Sequence, residues 1–156
     1  MKLVVLAVGA RMPGWVDEAF DEYAKRMPRG LKMELMEIRP EPRSSGKSAA
    51  QLMEAEAARL SRAVPRGAMR VALDERGREF TTAELARWLD ARRQDGRDIA
   101  FIVGGADGLA EGFKKGAAAV LRLSAMTLPH GLARVLLAEQ LYRAAAILEN
   151  HPYHRG

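Results

Sequence analysis

Leu3-Val4-Val5-Leu6-Ala7-Val8 opens the chain as an unbroken apolar run that ends at Gly9. Continuous rather than alternating apolarity predicts a strand covered on both faces, as in a parallel sheet. Trp15, Ala19, Phe20, Tyr23 and Met27 then recur at helical spacing behind Pro13, with Pro28 and Gly30 as the stop. Leu31 to Ile38 predicts a second strand, with Met33 and Leu35 turned inward. After the Pro-, Ser- and Arg-rich stretch Pro40–Lys47, Ser48 and Gln51 form a capping box for a helix reaching about Ala63. Met69 to Leu73 predicts a third strand, followed by a polar turn over Glu75–Arg78. Thr81 and Glu84 cap the next helix, which runs to about Arg93. Ile99 to Val103 is a fourth buried strand, Leu109 to Ala118 a short helix, and Val120 to Leu123 a fifth strand. A long helix covers about Gly131 to Asn150, and a tail, His151 to Gly156, closes the chain.

Strands alternating with helices in this way predict an α/β fold: a mostly parallel sheet with helices on both faces. At 156 residues the chain fits one domain spanning 1–156. On the last helix Leu132, Val135, Leu136, Tyr142, Ala145 and Leu148 read as the core face. Leu137 and Leu141 widen it, which suggests a second covered surface such as a dimer interface.

Composition narrows the chemistry. With 48% hydrophobic and 29% charged residues the chain can bury a core. It has no cysteine, which excludes disulfides, Cys-ligated metal and thiol nucleophiles. No apolar run approaches the roughly 20 residues of a membrane span, and no small-residue cleavage site follows the N-terminal run. A cytoplasmic protein without membrane contact is expected. The net charge of +5 permits a polyanionic partner without demanding one. It is concentrated in residues 25–47, where Lys25, Arg26, Arg29, Lys32, Arg39, Arg43 and Lys47 face only Glu34, Glu37 and Glu41. That makes this stretch the expected nucleic-acid docking surface, against the plainer reading of a solvated face.

In open α/β sheets ligands sit at the carboxyl ends of strands. Gly46-Lys47-Ser48 resembles the end of a phosphate loop, but the required earlier glycine falls on Glu41. Gly104-Gly105-Ala106-Asp107-Gly108 lacks dinucleotide spacing, yet allows close approach to the backbone. Ser124-Ala125-Met126-Thr127-Leu128-Pro129-His130 is small and apolar where a surface loop should be polar. Its backbone groups need partners, which a ligand ring could supply as well as a covering element. His151 and His154 have helical metal spacing, but Pro152 and the absence of nearby carboxylates argue against a metal. Glu139 and Arg143 are an i,i+4 pair, most simply a surface salt bridge.

Several segments stand together in order: Met1-Lys2-Leu3, Ala7-Val8-Gly9, Met12-Pro13 with Trp15, Leu73-Asp74, Gly104-Gly105 with Gly108-Leu109, the Ser124–His130 loop, Leu141-Tyr142-Arg143-Ala144 and Asn150-His151-Pro152-Tyr153-His154-Arg155. In this the sequence closely resembles the RlmH family, the pseudouridine N3-methyltransferases of large-subunit ribosomal RNA within the SPOUT superfamily. The resemblance spans essentially the whole chain; the 124–130 loop and the tail carry most of its specificity.

The resemblance implies an S-adenosylmethionine-dependent enzyme acting on 23S ribosomal RNA in assembled ribosomes. It implies a homodimer, no separate RNA-binding domain, and a C-terminal trefoil knot. Threaded chains are rare, so periodicity does not lead there. Carried over, the cofactor positions are Leu73, Gly104, Leu123, Ser124, Ala125, Met126, Thr127 and Leu128. Deprotonating N3 and stabilising the imidate falls to His154, Tyr153 and Arg155 of the tail with Tyr142 and Arg143 of the last helix, the tail of one protomer completing its partner's site. Two other functions fit the same fold: a SPOUT methyltransferase for another RNA such as tRNA, and a non-catalytic ribosome-binding factor. A flavodoxin-like binding module is a third, which would carry a yellow chromophore.

Overall fold

A computed structural model describes residues 1–9 and 12–155. Ala10 and Arg11, where the first apolar run stops, and the terminal Gly156 lie outside the described residues.

The strands β1 (Lys2–Val8), β2 (Lys32–Ile38), β3 (Met69–Glu79), β4 (Ile99–Val103) and β5 (Ala119–Arg122) form one sheet in the order β2-β1-β4-β3-β5. Every neighbouring pair is parallel. Parallel strands need covering on both sides, and β1 shows how the sequence meets that need. Leu3, Val5 and Ala7 pack with Phe20, Leu89, Leu137 and Leu141. Val4, Leu6 and Val8 pack on the opposite face with Ala57, Leu60 and Phe113. The helices α1 (Gly14–Ala24), α3 (Thr82–Asp95) and α5 (His130–Leu148) thus lie on one face, and α2 (Ala49–Ala63) and α4 (Glu111–Lys115) on the other.

Both predicted capping boxes form. Ser48 Oγ accepts from Gln51 N–H at 3.2 Å, and Thr81 Oγ1 accepts from Glu84 N–H at 3.1 Å. The first helix ends at Ala24, earlier than the apolar spacing predicts; Pro28 has no N–H to offer the Ala24 carbonyl and biases Met27 away from helical geometry. Helix α4 keeps only Glu111–Lys115 of the expected Leu109–Ala118. Helix α5 stops at Leu148, two residues before Asn150. Asn150 takes a left-handed φ of 55°, and the His151 N–H closes back on the Ala146 carbonyl at 2.8 Å.

Two expectations are corrected. The polar stretch Glu75–Arg78 is not a turn: β3 continues to Glu79. Leu73 and Arg78 both pair with Leu121, so Asp74–Gly77 bows out as a bulge before the strand resumes. Gly77 makes this possible. A Cβ there would lie 2.5 Å from the Leu121 carbonyl carbon. Gly77→Ala is therefore expected to prise β3 from β5 and to cost about 2 kcal/mol of stability, an overpacking penalty readable by urea unfolding.

The buried face of α5 is also not the one the pattern suggests. Leu137, Ala138, Leu141, Tyr142, Ala144 and Ala145 are buried, while Val135 and Leu136 are half-buried and Leu132 is 36% exposed. The helix contacts both α1 and α3, so it is covered over a wide arc, and a helix apolar almost all round gives no single stripe to read.

Candidate active site

The bulge in the middle of β3 and the carboxyl ends of β4 and β5 open onto a cavity of about 510 Å³. Leu73 and Asp74 enter it from β3, the turn Gly104–Gly108 from β4, and Leu123, Ser124, Met126, Thr127 and Leu128 from the loop after β5. His130 and Ala133 of the first turn of α5 close one side. These include every predicted cofactor position except Ala125, which is exposed in the same loop and does not line the cavity.

The lining is suited to a flat, partly apolar ligand. Leucine side chains offer surfaces for a ring, and the 124–128 loop offers backbone groups to its edge; within that loop Met126 N–H donates to Ser124 Oγ at 3.0 Å. The glycine turn is folded tightly on itself. A Cβ on Gly104 would lie 2.8 Å from the Gly108 carbonyl carbon, and Gly108 N–H donates to the Gly105 carbonyl at 3.0 Å. On the rim, Lys114 Nζ sits 2.8 Å from a Glu111 oxygen and 3.3 Å from Asp74 Oδ1. The Glu111 bond, with the Asp74 contact behind it, raises the Lys114 pKa and keeps it cationic.

The predicted tail and helix residues form a second cluster elsewhere. The Tyr153 ring lies edge-on to Tyr142 with centroids 4.6 Å apart, and the Arg143 guanidinium covers Tyr153 at 4.9 Å. Arg143 Nε donates to Glu139 Oε1 at 2.7 Å, and the Tyr153 hydroxyl donates to the same oxygen at 3.2 Å. Arg143 also reaches the His154 carbonyl at 3.4 Å. Arg155 is exposed beside them in the last turn, Pro152–Arg155. Glu139 is thus a hub whose side chain is 14% exposed, where the sequence suggested a plain surface salt bridge. The i,i+4 spacing from Arg143 was the only sign of it.

Ring chemistry orients the histidines. His154 Nδ1 lies 2.8 Å from the His151 carbonyl, which can only accept, so Nδ1 carries the proton and Nε2 of the neutral ring keeps a lone pair. Burial, then a Tyr23 hydrogen bond and the Glu139 carboxylate, pushes the Tyr153 hydroxyl above the ordinary phenol range. Because its folded pKa is raised, the docked tail is fully favoured below pH of about 10 and weakens only above it. The protection factor of the tail amides, measured against the intrinsic exchange rate at each pH, should stay constant to that point.

The two clusters lie far apart in one chain. His130 lines the cavity, and Arg143 is 13 residues further along one continuous helix, about 20 Å at 1.5 Å per residue.

A family model described as a predicted SPOUT methyltransferase matches residues 1–154, and the chain belongs to that family. Its methyl donor is S-adenosylmethionine, and the residues lining the cavity fit such a group. The chain is 60% identical to the ribosomal RNA large subunit methyltransferase H of Bordetella pertussis and 61% identical to that of Burkholderia ambifaria, over the full length of each. Among solved structures it resembles a probable methyltransferase of Bordetella pertussis Tohama I, with a TM-score of 0.59 at 20% identity over 92% of this chain and 95% of that one. A probable methylase family protein of Haemophilus influenzae Rd KW20 gives a TM-score of 0.58 at 17% identity, over 96% and 69%. The fold agrees with the family. A trefoil knot is characteristic of SPOUT proteins.

Among the described residues no group of three or more His, Asp or Glu could hold a metal ion. Among the described residues no helix is long and apolar enough to cross a membrane.

Proposed function

We propose that this protein methylates N3 of a pseudouridine in large-subunit ribosomal RNA, as a cytoplasmic homodimer in which the tail of one protomer completes its partner's active site beside the bound donor. The observation that carries the dimer is the separation just described: a donor cavity at one end of α5 and a cluster of acid–base groups about 20 Å away at the other. One chain cannot bring them together, whereas a second copy can. The ribosomal RNA substrate is named for the relatives that match this chain end to end.

Bound S-adenosylmethionine supplies an electrophilic methyl group on sulfonium sulfur. The chain does the rest. Leu73, Gly104 and the 123–128 loop hold and orient the donor, with Ala125 at the loop's outer edge. The imide N3–H is a poor nucleophile until its proton leaves. His154 Nε2 carries the free lone pair and takes that proton. Tyr153, kept protonated, donates rather than accepts. Arg143 and Arg155 offset the charge that gathers on the imidate oxygens, and Tyr142 holds Tyr153 in place. Held in line with N3 by these residues, the donor would give up its methyl group and be left as a neutral thioether.

A surface for the partner is present. Gly131 of α5 abuts Val16 of α1, so the first turns of these helices touch, and the adjoining Trp15 and Leu132 are exposed at 52% and 36%. Leu132→Glu is expected to give a monomer by sedimentation equilibrium that still binds S-adenosylmethionine and transfers no methyl group.

The docking surface for RNA is narrower than the sequence suggests. Lys25 and Arg26 pair with Glu22, Lys47 with Glu41, and Arg43 with Asp107. Among the described residues Arg29, Lys32 and Arg39 are exposed without an ion pair and carry the electrostatic contact.

The test is mass mapping of modified nucleotides in ribosomal RNA from cells with and without the gene. Loss of one methyl group on a pseudouridine is the expected result. An unchanged large-subunit RNA with a methyl lost from tRNA would move the substrate to tRNA. No change anywhere would leave a ribosome-binding factor.

A further inference from the structure

Glu56 is a carboxylate where none is expected. It lies in the third turn of α2 and is 2% exposed. Its Oε2 accepts the Glu41 backbone N–H at 3.0 Å and lies 3.6 Å from Arg43 Nη2. Its Oε1 has no hydrogen-bond partner and faces the bare backbone of Gly105; a Cβ there would lie 2.9 Å away. Arg43 does not stop at Glu56. Its Nη1 donates to Asp107 Oδ2 at 2.6 Å, and Asp107 belongs to the glycine turn that lines the donor cavity. One guanidinium therefore bridges two carboxylates, one fixed inside the fold and one on the turn.

The turn needs such an anchor. Gly104, Gly105 and Gly108 give it wide backbone freedom, and Gly108 holds a φ of +85°. A turn left free would have to be ordered by the ligand, at the expense of affinity. We propose that Arg43 and Glu56 are positioning residues that hold the Gly104–Gly108 turn in its donor-binding shape from outside the cavity. This rests on reading the cavity as the S-adenosylmethionine site. It also ties the donor site to the segment following β2, which carries Arg39 and leads to Lys47.

The test is calorimetric titration of the full-length protein with S-adenosylmethionine, paired with hydrogen exchange on the unliganded protein. Arg43→Ala is expected to weaken donor affinity about tenfold, the scale of ordering one turn on binding. Asp107→Asn should weaken it similarly, and the double variant no further than either alone, since both break one bridge. Arg43→Lys should recover part of the loss. Exchange at the amides of residues 105–109 should quicken in Arg43→Ala before any ligand is added. Arg59→Ala is the control. Arg59 pairs with Glu41 and donates to the Arg39 carbonyl at 2.9 Å, so it anchors the same segment without touching the turn, and its loss should leave affinity unchanged.

The proposal is overturned if Arg43→Ala stays within about twofold of the parent, if the two substitutions add, or if Arg59→Ala weakens binding equally. A parent protein that takes up no S-adenosylmethionine would overturn the cofactor reading instead. The exchange rates at the turn would then decide the bridge by themselves.

Discussion

Truncation after Asn150 leaves S-adenosylmethionine affinity within about twofold and lowers methyl transfer to ribosomes by about a thousandfold or more, the scale of losing both a placed proton acceptor and the positioning around it. The two effects separate because the structure separates their causes. The donor cavity is lined by the β3 bulge, the ends of β4 and β5 and the first turn of α5, none of which meets the tail. His154, Tyr153 and Arg155 sit with Arg143 at the far end of that helix. Mixing the truncated chain with Gly104→Trp, which fills its own cavity but keeps its tail, should restore transfer of labelled methyl groups. Each mixed dimer then holds one open cavity and one tail on opposite protomers. Circular dichroism on the Gly104→Trp protein checks that it folds. Transfer by the truncated protein alone would remove the tail from the chemistry. Mixed dimers that form and stay inactive would show that a tail serves its own chain.

What the sequence reveals follows from how local each cause is. The buried run Leu3–Val8 and the two capping boxes are short-range signals, and they appear where expected. The small, largely apolar Ser124–His130 loop stands out because a surface loop with so little charge is a contradiction until something fills the space beside it. It does border the cavity. The rest depends on distant neighbours. Glu75–Arg78 reads as a turn because its residues are polar, yet the backbone continues alongside β5, since Gly77 can lie flat against Leu121. Arg43 reads as one more cation in a basic stretch, and only the fold places Asp107 and Glu56 beside it. The α5 face was misread because α1 and α3 flank the helix. Glu139 looks like a surface pair until the tail folds back over it.

Arg134 is the sharpest case of a cause hidden from the sequence, and it carries the largest expected effect on stability. Its side chain is 0% exposed, as deep as the most buried leucines of the core. Nη1 donates to Glu37 of β2 at 2.9 Å, while among the described residues Nε and Nη2 have no hydrogen-bond partner. Gly9 leaves the room: a Cβ there would lie 2.9 Å from Nη2. The guanidinium stays charged at any ordinary pH, so it cannot escape burial by losing its proton. Glu37 is its one carboxylate. The Glu37 side chain is 41% exposed, so Glu37→Ala is expected to cost about 3 kcal/mol, the low end for stranding a buried cation. In a chain of this size that lowers the melting temperature by about 10 °C. Arg134→Met should cost much less, since it exchanges the cation and its unmet donors for apolar volume. Adding Arg134→Met to Glu37→Ala should recover most of the loss, because the stranded charge is gone. Thermal and urea unfolding of the three variants measure this directly. A Glu37→Ala loss under about 1 kcal/mol would mean that water reaches the guanidinium, and the pair would then weigh no more than one on the surface.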